Sequence, residues 1–354
     1  MSFKRFDQED VVVSAESIST PCWSGNKTTL NTFFTSSVQV GGATGDFYYN
    51  IYQTGSGHQS ARTQFSLSYG NKAGQGSIRY NPNVTVKSPT STIYGQYRSL
   101  ILGDEEKDFV FGGVASDSFY AISIDRARYK EKLLPGTLDL VLAHSGSKLS
   151  TGADSSITSR TLTDNSLVSS TVTFTDAGRV YELVSGSLGN VHTSLNANGY
   201  TTNNGSYGKL LPDLGIALIN VAALNAPIAE GGVNFNSNQT ANQLTYSGSA
   251  TNLNRGFDLL KRGSKFRIQS EETISSNFIF VRARNSEFNY STNPSLITGS
   301  GELRHNVMVN SPQSYITTVG LYNDNNDLLA TAKLSRPLIK DFTKEALVRI
   351  KLDY

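Results

Sequence analysis

Alternation of apolar and polar residues dominates many short segments of the chain, and this pattern predicts half-buried β-strands. The clearest case is 346–354, ALVRIKLDY, in which Ala346, Val348, Ile350 and Leu352 share one face. Each of these side chains contributes about 1.5–3 kcal/mol when it is fully buried. We therefore predict that Val348, Ile350 and Leu352 form an assembly strand that faces a core or a neighbouring subunit.

Further strands are predicted in the N-terminal and C-terminal parts of the chain. They cover 10–19, 45–55, 61–71, 118–124, 137–143, 278–284, 315–323 and 328–335. The second and third form a predicted hairpin, and DNND (324–327) forms a turn between the last two. The pattern from Ser91 to Gly113 is compatible with either a helix or a strand, and does not distinguish between them.

Two of these strands allow a prediction of which side chains are buried. In 61–71, Phe65, Leu67 and Tyr69 alternate with polar residues, which predicts one buried and one solvated face. In FIFVRAR we expect Phe278, Phe280 and Ala283 near the core, with the arginines directed outward.

The middle of the chain has a different composition. Residues 146–264 are rich in Gly, Ser and Asn, with one apolar island at 210–225 that is the best helix candidate. The sequence therefore predicts a mainly β fold. Its antiparallel β-sandwich core is expected from 1–145 and 265–354, with an inserted, variable, loop-rich lobe at 146–264.

Composition and charge narrow the function classes. Only 17% of the residues are charged and the net charge is +2, so no global field attracts nucleic acid or acidic lipid. Cys22 is the single cysteine, which excludes an intrachain disulfide. The sequence contains no secretory core and no apolar stretch long enough to span a membrane. We expect a soluble, unexported chain without nucleic-acid or membrane partners.

Candidate chemistry is sparse. The DNND segment offers oxygen ligands for calcium, but it lacks the EF-hand spacing and favours a hairpin turn. The four histidines, His58, His144, His192 and His305, show no metal-binding spacing. Neighbouring glutamates such as Glu271 and Glu272 point to opposite faces of a strand, which makes them a poor glycosidase pair. We predict no catalytic, cofactor-binding or metal-binding residues, no cofactor and no enzyme activity.

Aromatic segments leave two interpretations open. DFYYNIY (46–52) and EFNYSTN (287–293) are suited to stacking on sugars, and equally to packing between sheets. The core interpretation is favoured, because no cluster of aromatic residues occupies a single exposed loop in the sequence.

Several long stretches resemble virion structural proteins of T-even-like contractile-tailed phages, notably those that infect marine cyanobacteria. They are SFKRFDQEDVVVSAESISTPCWS, SPTSTIYGQYRSLILGDE, FYAISIDRARYKEKLLPGTLDL, SEETISSNFIFVRARNSEFNYSTNPS and the segment from TTVGLYND to the final LDY. The resemblance covers the N- and C-terminal thirds of the chain. The middle third differs.

A shorter resemblance concerns the position in the particle. FFTSSVQVGGATGDFYYNIY and LSRPLIKDFTKEALVRIKLDY are similar to patterns in a baseplate wedge protein of T-even phages. The resemblance implies a virion protein, assembled in the host cytoplasm, that bridges tail and baseplate subunits and forms homo-oligomers in the particle. The alternatives are a receptor-binding or fibre-attachment protein and a glycan-cleaving virion enzyme.

Overall fold

A computed structural model describes residues 4–35, 48–76, 88–145, 157–169, 172–235, 252–291 and 293–353. The chain forms two compact units. Unit 1 comprises Met1–Ser17 and Thr273–Tyr354, and unit 2 comprises Ile18–Glu272.

Strands greatly outnumber helices in the described residues. The strands are β1 (Val11–Pro21), β2 (Thr29–Leu30), β3 (Phe34–Thr35), β4 (Tyr48–Tyr52), β5 (Thr63–Asn71), β6 (Val110–Phe111), β7 (Val114–Ala115), β8 (Ser118–Ile124), β9 (Lys132–Ser145), β10 (Ile157–Asp164), β11 (Thr173–Thr175), β12 (Gly178–Ser187), β13 (Asn190–Val191), β14 (Gly208–Leu211), β15 (Ile216–Asn220), β16 (Lys265–Ala283), β17 (Ser314–Tyr322), β18 (Leu328–Lys340) and β19 (Ala346–Asp353). The helices are α1 (Pro89–Leu102), α2 (Val221–Asn225), α3 (Asn252–Gly263) and α4 (Val307–Asn310). The division between the units falls inside β1 and β16.

A large sheet forms the framework of unit 2. Its strands follow the order β16, β9, β10, β12, β14, β15, β8, β5, β4 and β3. Neighbouring strands in this series are antiparallel. The predicted mainly β fold is confirmed, as is the predicted pairing of the two strands around residues 45–71. The sandwich arrangement stays a prediction.

Both faces of the central strands are buried, and the predicted solvated face of 61–71 is therefore wrong. Phe65, Leu67 and Tyr69 enter one apolar cluster, as predicted. The intervening Gln64 and Ser68 are buried as well. The other face carries a second cluster, to which α1 contributes Tyr94 and Ile101 and β8 contributes Phe119 and Ala121. Pro89 at the first helical turn and the left-handed Gly103 delimit α1, which resolves the ambiguity of this segment.

The middle of the chain differs from the predicted inserted lobe. Its strands β10, β12, β14 and β15 lie between β9 and β8 in the sheet of unit 2. The physical reason is that their apolar residues, such as Leu162, Leu183 and Leu218, are needed to fill the two clusters on that sheet. The chain thus divides at 17/18 and 272/273, instead of at 145/146 and 264/265.

The predicted helix at 210–225 is also wrong for most of its length. Residues 208–220 form the β14–β15 hairpin, and only the short α2 follows. The turn between the strands contains Gly215 with φ of +69°, and a Cβ there would lie 2.6 Å from the ring of Tyr129. A glycine in this conformation favours a turn over a continuing helix.

An aromatic cluster closes the sheet of unit 2 where β16 meets the N-terminal strands. The rings of Trp23 and Phe266 lie 4.8 Å apart, and those of Phe65 and Phe266 lie 5.5 Å apart. The indole Nε1 of Trp23 donates a hydrogen bond of 2.9 Å to the carbonyl of Phe266. All three side chains are almost completely buried.

Candidate assembly surface

Strand β19 lies in a small core within unit 1. It pairs antiparallel with residues 276–283 of β16, with Ile350 opposite Ile279. Ile350, Ile279 and Leu321 are buried together, and Val348 and Leu352 pack against them. The structure therefore places the three predicted assembly-strand residues on one face, as their alternation predicts. Their contribution to assembly stays a prediction.

The opposite face of the β16–β19 pair is cationic and partly exposed. The guanidinium of Arg349 lies 5.4 Å from the ring centroid of Phe278, and the ammonium of Lys351 lies 5.8 Å from it. Phe278 and Phe280 are on this face because Ile279 and Val281 occupy the inner one. The prediction that Phe278 and Phe280 lie in the core is therefore wrong, whereas Ala283 is buried as predicted.

Apolar exposure is concentrated in unit 1. Among the described residues, more than half of the exposed large apolar side chains belong to this unit, which is less than a third of the chain. They are Phe6, Val11, Val12, Val13, Phe288, Tyr290, Val307, Val309, Tyr315, Tyr322, Leu328, Leu329, Ile339, Phe342 and Leu347. A soluble monomer rarely leaves apolar surface contiguous over a large area, and such patches are typical of interaction sites.

The β17–β18 hairpin carries part of this surface in cross-strand pairs. Tyr315 lies opposite Ile339, and Tyr322 lies opposite Leu328. Leu329 has no opposite residue at the register shift beside this second pair, and it is 68% exposed. Cross-strand pairs of aromatic and aliphatic side chains interact directly on one face of a sheet. We call Tyr322, Leu328 and Leu329 the hairpin patch.

The predicted DNND turn is confirmed between β17 and β18. Asn323 and Asp327 hold it, since the backbone N–H of Asp327 donates to Asn323 Oδ1 at 2.7 Å and the Asn323 amide donates to Asp327 Oδ2 at 3.0 Å. Asn326 adopts a left-handed φ of +65°. The side chains of Asn323 and Asp327 therefore act within the turn.

A buried lysine, which the sequence analysis missed, fixes the loop before β17. The Lys340 ammonium donates to Asn289 Oδ1 at 2.6 Å and to the carbonyls of Asn285 and Asp341 at 3.0 Å each. The three acceptors replace water around a fully buried cation. The anchored loop presents Phe288 and Tyr290 to solvent. No local sequence signal marks Lys340, because its acceptors are mostly backbone oxygens.

Ile350→Ala is expected to loosen the small core of unit 1. Removing a buried isoleucine costs about 2–5 kcal/mol, and in the described part of the chain this core has three buried apolar members, Ile350 included. Hydrogen exchange at 276–283 should therefore accelerate strongly. Leu347→Ala is the matched control, because Leu347 is 59% exposed on the other face of the same strand and should leave exchange nearly unchanged. Equal exchange rates in the two variants would contradict the placement of β19.

A cluster of three polar side chains, Glu182, Ser206 and Lys209, lies in unit 2. Glu182 accepts hydrogen bonds from Ser206 Oγ at 2.5 Å and Lys209 Nζ at 3.0 Å. A Ser–Glu–Lys cluster suggests nucleophilic catalysis, but Ser206 is fully buried and its hydroxyl is directed at Glu182. The arrangement joins β12 to β14 and its neighbouring loop.

An ion pair connects the start of β12 to the β14–β15 turn. Arg179 donates from its backbone N–H, Nε and Nη2 to Asp213, with Nη2 to Oδ1 at 2.7 Å. Burial opposes ionisation of Asp213, but the hydrogen bonds and charge of Arg179 outweigh it and hold the pKa of Asp213 below its usual value of 3.8. The same contacts raise the pKa of Arg179.

This ion pair predicts a pH-dependent stability difference between the protein and Asp213→Asn. Because the pKa of Asp213 is lower in the folded state, its stabilisation is present above about pH 4 and is lost as the pH falls through the folded pKa. The melting-temperature gap should be constant near neutrality and should shrink below about pH 4. Asp324→Asn, a change of an exposed aspartate, should show no such trend. A gap that persists in acid would contradict the assignment.

The remaining candidate side chains are dispersed. His58, His192 and His305 are exposed. His144 is half-buried against Phe235, and burial, followed by the charges of Arg255 and Arg262, lowers the pKa of its ring. Glu272 pairs with Lys130 at 2.6 Å, and Glu271 lies 3.9 Å from Lys132.

Metal-binding and membrane-spanning features were sought in the same residues. No group of three or more metal-ligating side chains comes together in the part of the chain that the structure describes. No described helix is long and apolar enough to cross a bilayer.

Aromatic residues are divided between core and surface. Tyr49 of the first aromatic segment is buried, as the favoured interpretation requires, and its hydroxyl bonds Asn254 Oδ1 at 2.8 Å. Tyr48, Phe288 and Tyr290 are exposed instead.

The sequence and the structure were compared with known proteins. No protein-family model, curated protein or solved structure matches this chain.

Proposed function

We propose that the chain is a structural component of a contractile-tailed bacteriophage virion, in the baseplate, where it bridges neighbouring tail proteins. The single observation that supports an assembly role is the exposed apolar surface of unit 1, above all the hairpin patch. The phage assignment comes from the sequence stretches that resemble virion structural proteins. In this proposal the chain acts by binding and catalyses no reaction, and its partners are other baseplate subunits and copies of itself.

The affinity in such an assembly comes from burial of apolar area. Leu328 and Leu329 are 55% and 68% exposed, so a partner that covers them gains about 25 cal/mol for each Å² removed from water. Stable subunit interfaces bury about 2,000 Å² or more in total. The hairpin patch supplies the apolar centre of such an interface, and the charged residues around it supply the polar rim.

Leu329→Asp tests this role in the virion. A phage that lacks the gene for this chain is complemented with the variant, and purified particles are analysed by mass spectrometry. We expect incorporation to fall at least about tenfold, because a charge placed in a desolvated apolar contact costs more than 1.4 kcal/mol. The melting temperature of the free protein should not change.

Phe174→Asp is the matched control. Phe174 is 70% exposed in unit 2, so its replacement places the same charge at a similarly exposed apolar position outside unit 1. It should be incorporated normally. Absence of the unchanged chain from purified virions would overturn the proposal, as would normal incorporation of Leu329→Asp.

Receptor binding is a second candidate, because Phe288 and Tyr290 are exposed on one anchored loop. Paired exposed aromatic side chains provide stacking platforms for sugars. A glycan array distinguishes this function from scaffolding. Binding that is lost in Tyr290→Ala and kept in Tyr48→Ala, a change of another exposed tyrosine, would favour the receptor-binding role.

A further inference from the structure

Two strands of unit 1, β1 and β19, lie at the edges of its sheet. Within the described residues, β16 is the only strand that pairs with either of them. Alternate N–H and C=O groups of such an edge strand point away from its partner and can accept another strand. The two edges have similar lengths, since the edge of β1 covers residues 11–16 of unit 1 and β19 spans Ala346–Asp353.

The first three residues of the β1 edge lack the usual protection against strand addition. Val11, Val12 and Val13 are 38%, 48% and 69% exposed, although consecutive residues of a strand point to opposite faces. Natural edge strands that remain solvated carry charges, prolines or bulges that prevent pairing. Three consecutive exposed valines therefore indicate an edge that is covered when the protein functions.

The two edges carry opposite charges. Glu16 is the only charged residue of 11–17, and it is exposed. On β19, Arg349 and Lys351 are exposed above Phe278, and the exposed Asp353 pairs with Lys351 at 3.1 Å, so this edge is net positive. We propose that β1 of one copy pairs with β19 of a second copy, so that the sheet of unit 1 continues from copy to copy.

In one antiparallel register of β1 with β19 of the second copy, opposite charges face each other and apolar side chains face each other. With Glu16 opposite Arg349 of the second copy, Val13 lies opposite Leu352 and Ala15 lies opposite Ile350. Opposite charges and apolar pairs in these positions stabilise neighbouring strands. Antiparallel pairing is also slightly more stable than parallel pairing.

Pairing of β19 with another β19 is disfavoured. An antiparallel arrangement centred on Ile350 puts Arg349 opposite Lys351 of the second copy, twice. Like charges directly opposite each other destabilise strand pairs. The contact is therefore heterologous, with a different edge from each copy, and repetition produces a ring when the rotation closes and a filament when it does not.

This inference rests on the proposed assembly role, but its test uses the purified full-length chain alone. Ser14→Cys and Lys351→Cys are prepared separately with distinguishable tags, mixed and exposed to a mild oxidant. The register places positions 14 and 351 opposite each other, within disulfide distance. Cys22 should not interfere, because burial raises the pKa of its thiol to about 12. We expect mixed disulfide dimers, and several-fold fewer dimers from either variant alone.

The pair Val12→Cys and Asp353→Cys repeats the test at a second position of the register. The test therefore remains informative if one variant of the first pair misfolds. Glu16→Arg should weaken cross-linking about tenfold, and the added change Arg349→Glu should restore it. Absence of mixed dimers at both positions overturns the proposal. Preferential dimers of either variant with itself also overturn it, as does cross-linking that Glu16→Arg does not alter. The virion test of Leu329→Asp is unaffected by either result.

Discussion

Phe266→Ala is expected to lower the free energy of unfolding by about 3–5 kcal/mol, the usual cost of removing a fully buried aromatic ring. The ring contacts Trp23 at 4.8 Å and Phe65 at 5.5 Å between centroids, so its loss leaves a cavity beside two other rings. The backbone of residue 266 also accepts the Trp23 indole hydrogen bond, whose alignment depends on the same packing.

Urea denaturation followed by the fluorescence of Trp23, the single tryptophan, measures this effect. Phe174→Ala is the control for the loss of a phenyl ring, because Phe174 is 70% exposed. The control should change stability by less than about 0.5 kcal/mol. A small loss in Phe266→Ala would show that β16 does not close the core of unit 2.

Asp164→Ala is expected to cost a similar amount, although it removes no apolar packing. Both carboxylate oxygens accept hydrogen bonds from the backbone N–H of Gly136, at 2.8 and 2.9 Å, and Oδ1 also accepts from Ser166 at 3.2 Å. Asp164 is fully buried. Bonds to a charged group contribute about 1.5–3 kcal/mol each, and the alanine variant leaves buried donors without an acceptor.

The expected loss for Asp164→Ala is therefore about 3–5 kcal/mol, measured by the same denaturation experiment. Asp176→Ala, a change of an exposed aspartate in the same unit, should have almost no effect. Comparable stability of the two variants would mean that the backbone of β9 around Gly136 is held by other contacts.

Local alternation made the strands predictable, whereas their burial depended on distant parts of the chain. The inward face of 61–71 was predicted from Phe65 and Leu67. The burial of Gln64 and Ser68 was not predicted, because it depends on the elements that cover the second face of the sheet. Periodicity in one segment carries no information about what packs on its polar side.

Composition was misleading in the middle of the chain. Gly, Ser and Asn suggested loops, yet short apolar islands such as 216–219 form central strands because both of their faces are buried. A run of consecutive apolar residues fits a buried strand as well as a helix. Gly215 was the local signal that favoured the hairpin, since its left-handed conformation ends any helix that begins before it.

The candidate surface was predictable only in part. The alternation of Val348, Ile350 and Leu352 predicted their shared face. Phe278 and Phe280 were predicted near the core with the arginines directed outward, but strand parity places them with Arg349 on the other face. Exposure of the hairpin patch depends on which elements surround it, so the sequence alone gives no signal for it.

The distance along the chain between Trp23 and Phe266 has a consequence for synthesis on the ribosome. Their contact spans 243 residues. Strand β2 also pairs with β16, so it has no strand partner there until β16 has been synthesised. At about 5–20 residues per second, the N-terminal strands exist for about 12–50 seconds before the strand that completes their core has been translated. During that interval Trp23 and Phe65 lack the Phe266 ring that packs against both of them, so an incomplete apolar core is exposed to ribosome-associated chaperones.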